Sequence, residues 1–135
     1  MGLDQYAYRI KEGQGFEIAY WRKHNRLQGW MENLWVEKGM PNPQKDEAGN
    51  PIYEFNCVDL EIDWEDIIQL TEAIDNRNLP ATAGFFFGRD SYSWHSSNYQ
   101  SDNGDYENLN DDLEFIEIAK IALDAGDKVI YSSWW

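Results

Sequence analysis

The chain has almost no cysteine and no long apolar run. Cys57 is the only cysteine among the 135 residues, so no disulfide can form within the chain and a small disulfide-stapled secreted scaffold is excluded. No stretch approaches the roughly 18 consecutive apolar residues of a membrane span. The first residues also lack the basic start and apolar core of a signal peptide. We therefore expect a cytoplasmic protein with no membrane partner.

Basic residues are scarce, 11 against 25 acidic ones, which gives a formal net charge of −14. Nucleic acids and anionic membranes would repel such a protein, so direct nucleic-acid binding is not expected. The imbalance is uneven, because residues 1–43 carry a formal charge of +1 and residues 44–135 carry −15. A basic partner is therefore expected to contact the later part of the chain.

The catalytic motifs with a recognisable spacing are missing as well. There is no phosphate-binding glycine loop, no Gly-x-Ser-x-Gly elbow, no His-Glu-x-x-His and no pair of Cys-x-x-Cys. Cys57 lies in a predicted strand among apolar and acidic neighbours, so we expect it to pack in the core. His24 stands among basic residues that disfavour a cationic metal, so a structural or surface position is expected. No cofactor and no metal are predicted.

Aromatic residues are abundant, at 16% of the chain with seven Trp and eight Tyr. They bury large areas and carry a polar group at the ring edge. A chain of 135 residues has the common size of one domain and buries roughly two-thirds of its unfolded surface. The sequence therefore predicts a single acidic domain over residues 1–135.

Hydrophobic periodicity predicts the elements of the first half. Alternating apolar residues indicate a hairpin at 6–10 and 16–20. A helix is predicted to begin after Asn25 and to stop at Gly39, because apolar side chains recur at helical spacing at Leu27, Trp30, Met31, Leu34 and Trp35. Residues 40–51 indicate a surface loop, and a strand is expected over 55–62. Asp63 then caps a second helix that ends before Pro80.

In the second half, glycines bracket the apolar residues 84–88, which predicts a buried strand. Residues 89–108 are rich in Ser, Asn, Asp and Gly and indicate a long loop. A third helix follows, and Gly126 fits the position just after its end. Residues 128–134 predict a last strand. The order ββαβαβαβ predicts an α+β fold with one mixed sheet of about five strands and three helices.

Two groups of carboxylates are the candidate binding residues. The first follows the predicted strand into the second helix and consists of Asp59, Glu61, Asp63, Glu65 and Asp66. The second runs from the long loop into the third helix and consists of Asp102, Asp105, Glu107, Asp111 and Asp112. Both can be solvated acidic segments, and the functional interpretation is a negative surface that attracts a basic protein. That interpretation requires residues 59–66 and 102–117 to share one surface.

Other residues suggest different functions. Trp134 and Trp135 either pack or leave an apolar patch for binding or self-assembly. His95 lies in the long loop near acidic residues and is the candidate catalytic residue of an alternative function. In that alternative the chain is a small hydrolase or a nucleotide-binding protein that uses residues 89–112.

Four segments resemble a family of small proteins encoded by bacteriophages and their hosts. They are Met-Gly-Leu-Asp-Gln-Tyr at 1–6, Tyr-Trp-Arg-Lys-His-Asn at 20–25, Phe-Phe-Phe-Gly at 85–88 and Tyr-Ser-Ser-Trp at 131–134. Some members are labelled phosphoglycerate kinase, but this chain is too short for that two-domain enzyme. The resemblance implies a phage accessory protein in the host cytoplasm and carries over no site residue. Its charge then favours binding a basic surface of a host defence or nucleic-acid-processing protein, as a nucleic-acid mimic would.

Overall fold

The computed structural model describes residues 3–22, 24–79 and 108–134. These residues form β1 (Asp4–Lys11), β2 (Gln14–Arg22), α1 (Asn25–Glu37), β3 (Gln44–Lys45), β4 (Pro51–Ile52), β5 (Leu60–Ile62), α2 (Trp64–Asp75), α3 (Leu109–Asp124) and β6 (Lys128–Trp134). The predicted α+β class, the opening hairpin, the helices α1, α2 and α3 and the last strand are confirmed. The predicted strand at 84–88 and the loop from residue 89 to 107 lie outside the described residues.

The main sheet has four strands in the order β2-β1-β6-β5. Each pair of neighbours is antiparallel. The main sheet of the described chain is therefore wholly antiparallel with four strands, whereas the sequence predicted a mixed sheet of about five strands. The predicted loop at 40–51 also contains the two short paired strands β3 and β4.

The strand predicted over 55–62 is shorter than expected, because only Leu60–Ile62 pair with β6. Cys57 has a positive φ of 58°, a left-handed conformation that does not continue a strand. Its N–H donates to the carbonyl of Ser133 at 2.7 Å, and its side chain is exposed. The prediction that Cys57 packs in the core is therefore wrong, and Phe55 and Val58 fill the core beside it.

The helices cover one face of the sheet and enclose the core. Alternate sheet residues point toward them, among them Ala7, Trp21, Leu60 and Tyr131. The helices contribute apolar side chains at helical spacing, including Leu27, Met31, Ile67, Leu70, Phe115 and Ala119. The rings of Trp21 and Phe115 meet edge to face with centroids 5.2 Å apart, which fixes α3 against the sheet.

Local sequence determines where α2 and α3 begin and end. Asp63 accepts from the Asp66 N–H at 3.0 Å, and the Asp66 carboxylate accepts from the Asp63 N–H at 3.0 Å. This reciprocal pair is a capping box, with Asp63 as the predicted cap. At the end of α3, Gly126 has a φ of 87°, and its N–H donates to the Leu123 carbonyl. The glycine thus provides the left-handed residue that ends the helix.

Replacing the cap residue tests this account of α2. We predict that Asp63→Ala lowers the free energy of unfolding by about 1 kcal/mol at neutral pH, measured by urea denaturation. The backbone hydrogen bond from Asp66 lowers the pKa of the Asp63 carboxyl. Its contribution is therefore present above the unfolded-state pKa and is lost as the pH falls through the folded-state pKa.

The difference between Asp63→Ala and the unaltered protein should therefore shrink on acidification below about pH 4. Asp75→Ala is the control, because Asp75 is exposed in the last turn of the same helix, where a negative charge is not favoured by the helix dipole. A pH-independent difference, or an equal loss in the control, would contradict the capping role.

Candidate functional site

The exposed side of α2 carries acids and large apolar residues together. Ile67, Leu70 and Ile74 face the core, so the opposite side of the helix faces solvent. Its charged members are Glu65, Glu72 and Asp75. Trp64 and Ile68 lie on the same side and are 43% and 51% exposed. No Lys or Arg occurs in the helix, so α2 itself adds no positive charge to this surface.

The exposed side of α3 has the same character, and the two helices pack against each other. Glu117 and Asp124 are exposed, and so are Leu113 and Ile121. Lys120 is the only basic residue of α3 and is partly buried. We call the surface formed by Glu65, Glu72, Asp75, Glu117 and Asp124 the α2–α3 acidic face.

Ion pairs do not tie the carboxylates of the α2–α3 acidic face to the rest of the described fold, although Glu65 accepts from the Gln69 amide of the same helix at 3.3 Å. Among the ion pairs of the described chain, none includes a member of this face. The basic side chains pair elsewhere, for example Arg9 with Asp127 and Lys38 with Asp66. The negative charge of the face is therefore neutralised by counterions in water rather than by the protein.

The structure divides the first predicted group of carboxylates. Asp59, Glu61 and Asp63 are exposed and alternate with buried residues, as the strand pattern predicts. Glu61 lies opposite Ile130, on the sheet face that the helices do not cover. On that face, burial raises the pKa of Tyr8, and the nearby charges of Glu17 and Asp59 add to the shift. The surface expected to join residues 59–66 and 102–117 stays a prediction, because residues 102–107 lie outside the described chain.

Two of the predicted binding acids are buried. Asp66 is 4% exposed and accepts from the Lys38 ammonium, and Asp112 is 1% exposed. Asp111 is exposed at the start of α3, and Glu65 belongs to the α2–α3 acidic face. Trp134 is 52% exposed at the end of β6. The remaining predicted residues lie outside the described chain and are His95, Asp102, Asp105, Glu107 and Trp135.

Asp112 joins α3 to β2 and to the start of α1. Its Oδ1 accepts from the Trp21 indole N–H at 2.9 Å, and its Oδ2 lies 2.8 Å from His24 Nε2. Asp112 and His24 are both almost fully buried, so the pair acts as an internal link between elements. The expectation of a structural position for His24 is confirmed.

A second group of buried polar side chains continues from His24. The Gln5 amide donates to the His24 carbonyl and to the Tyr131 hydroxyl, and its oxygen accepts from the His24 N–H. The Tyr131 hydroxyl donates to Gln28 at 2.6 Å. Burial raises the pKa of Tyr131 far above its usual value, which keeps this donor protonated. We call Gln5, Trp21, His24, Gln28, Asp112 and Tyr131 the buried polar network.

Within the described residues, the candidate site is a surface of exposed acidic and apolar side chains. They contain no cluster of His, Cys, Asp and Glu suited to a metal ion, and none of their helices is long and apolar enough to cross a membrane. Sequence reasoning missed Glu72, Asp75 and Asp124, and it included Glu117 only as the end of the range 102–117. A signal was present, because acids recur seven residues apart on the polar side of both helices, at 65 and 72 and at 117 and 124.

The buried polar network predicts that two neighbouring acids, Asp112 and Asp111, contribute very differently to the free energy of unfolding. Asp112→Ala removes the acceptor of Trp21 and the partner of His24, so we expect a loss of about 3–5 kcal/mol in the free energy of unfolding. Asp111→Ala changes an exposed residue of the same turn and should stay within about 0.5 kcal/mol of the unaltered protein. Urea denaturation measures both, and similar values for the two variants would contradict the structural role of Asp112.

The chain was also compared with known proteins. No protein-family model, no curated protein and no solved structure matches it. The resemblance to phage-encoded proteins therefore stays a prediction, and any function has to be argued from the surface described above.

Proposed function

We propose that this protein binds the basic surface of another protein through the α2–α3 acidic face. The observation that carries the proposal is the composition of the exposed sides of α2 and α3. Seven acidic side chains are exposed there, Glu65, Glu72, Asp75, Asp111, Glu114, Glu117 and Asp124. Lys120 is the only basic residue in the two helices, and it is partly buried.

Exposed apolar side chains support binding rather than mere solubility. Trp64, Ile68, Leu113 and Ile121 stand among the acids of the two helices and are between 38% and 61% exposed. A surface that serves only solubility gains nothing from large apolar residues, which favour association. In protein interfaces such residues form the desolvated centre that carries most of the binding energy, and charges surround them.

The charge determines what kind of partner fits. A net charge of −14 produces a negative potential that accelerates encounter with positive surfaces and repels negative ones. Proteins that bind nucleic acid present such positive surfaces, because they neutralise backbone phosphates with Lys and Arg. The partner class is therefore a nucleic-acid-binding protein, whose site the α2–α3 acidic face would occupy.

The resemblance to phage-encoded proteins suggests where such a partner would be found. A phage accessory protein acts on components of its host, so the partner is a host defence or nucleic-acid-processing protein in the bacterial cytoplasm. The competing hydrolase or nucleotide-binding function depends on His95 and residues 89–112, of which the structure describes only 108–112. No observation among those described residues favours that alternative.

A capture experiment with paired charge reversals tests the proposal. The protein is immobilised and exposed to bacterial host lysate at about 50 mM and about 500 mM salt, which shortens the Debye length about threefold. We expect a basic host protein to be retained at low salt and to be released at high salt. The double variant Glu72→Lys with Glu117→Lys should retain about tenfold less of it.

The matched control is Glu47→Lys with Glu54→Lys. It changes the net charge by the same amount at exposed loop positions away from α2 and α3. Retention of the same host protein by this control, together with its loss from the helix variant, supports the proposal. An equal loss from both variants would show attraction to net charge alone, and retention by the helix variant would exclude the α2–α3 acidic face.

A further inference from the structure

The outer edge of β2 and the first turns of α3 form a groove next to the α2–α3 acidic face. β2 is the last strand at its end of the sheet and pairs only with β1 among the described residues. The groove has a volume of about 170 Å³ and is lined by Ile18, Ala19 and Tyr20 from the strand and by Asp111, Glu114 and Phe115 from the helix. It is smaller than the roughly 300–1,000 Å³ of most small-molecule pockets.

We propose that this groove binds an extended, basic segment of the partner protein, which adds to the sheet as a strand alongside β2. An edge strand presents N–H and C=O groups that point away from its only neighbour. An incoming extended segment can pair with those groups, as in other complexes formed by strand addition. The inference rests on the proposed function, from which it takes the positive charge of the partner. It adds where the partner's segment binds and that this segment is extended.

Charge complementarity selects this occupant over a neutral one. Asp111 and Glu114 are exposed on the α3 side of the groove, and its lining among the described residues includes no Lys or Arg. The two acids are three residues apart, which separates them by about 4.5 Å along the helix axis. Alternate residues of a strand point to the same side and are about 6.7 Å apart. The flexible side chains of two alternate lysines can therefore reach both carboxylates.

An irregularity in β2 limits where the added strand can pair. Ala7 lies opposite Ala19 and Tyr8 lies opposite Glu17, so Ile18 is an extra residue that forms a bulge. Bulges twist an edge strand and interrupt regular pairing. The segment therefore pairs with the part of β2 that runs from Ala19 to Arg22, which is also the part nearest the start of α3.

The probe is a fluorescein-labelled peptide of about ten residues in which Lys and Val alternate, a pattern that favours an extended conformation. Binding is followed by fluorescence anisotropy at low salt. A second peptide of the same sequence and charge is N-methylated at each central residue and has no N–H to donate to β2. We expect the methylated peptide to bind at least about tenfold more weakly.

Protein variants locate the site. Asp111→Lys with Glu114→Lys should weaken binding of the first peptide by about tenfold or more, and Glu47→Lys with Glu54→Lys, which changes the net charge equally at exposed loop positions, should keep affinity within about threefold. On binding, the amides from Ala19 to Arg22 should exchange more slowly with solvent. Circular dichroism checks that both variants fold, and the methylated peptide tests strand addition without any variant.

Several outcomes would overturn the inference. Equal binding of the two peptides would exclude strand addition, and unchanged binding by the groove variant would exclude this groove. A dimer in light scattering that disappears in the groove variant would show that a second copy occupies the edge of β2. An equal loss of peptide binding in the Glu47 and Glu54 variant would show attraction to net charge alone, which would leave the proposed function standing and reject only the groove. The proposed function is tested separately by the lysate experiment, which contains none of these peptides. Failure of the proposed function can therefore be distinguished from failure of this inference.

Discussion

The buried polar network fixes how the helices sit on the sheet. Gln5 from β1, Gln28 from α1 and Tyr131 from β6 meet through hydrogen bonds inside the core. A polar group that loses its partner in such a place costs about 1–3 kcal/mol, whereas apolar contacts tolerate small shifts. The network therefore favours one position of α1 over the sheet. The high pKa of Tyr131 keeps its hydroxyl protonated, so its hydrogen bond to Gln28 is present at all physiological pH values.

The same network determines which side of α3 faces solvent. Asp112 must point inward to reach the indole of Trp21 and the ring of His24, and this sets the rotation of the helix about its axis. With Asp112 inward, Asp111 and Glu114 turn toward β2, and Glu117 and Asp124 turn outward. The inward position of Asp112 thus places two exposed acids of α3 beside the groove and two others on the α2–α3 acidic face.

Local patterns in the sequence predicted the elements but not this network. The capping residue Asp63 and the apolar stripe of α1 act within a few residues, so a reader of the sequence can recognise them. Gln5 and Tyr131 are separated by 126 positions, and nothing near either residue indicates that it is buried. Nothing in the sequence indicates the contacts that Asp112 makes with Trp21 and His24. Asp112 was therefore assigned to the acidic surface, because an acid in the first turn of a helix is typical of an exposed position.

The acids of the chain therefore fall into two sets with different consequences. Asp66, Asp112 and Asp127 are held by Lys38, His24 and Arg9, and their charges contribute to the fold. The carboxylates of the α2–α3 acidic face repel one another without such compensation, which lowers the stability of the compact state. The proposed basic partner would remove that repulsion and would cover the exposed Trp64, Ile68, Leu113 and Ile121. In the proposed function, binding would thus be favoured by the same feature that weakens the free protein.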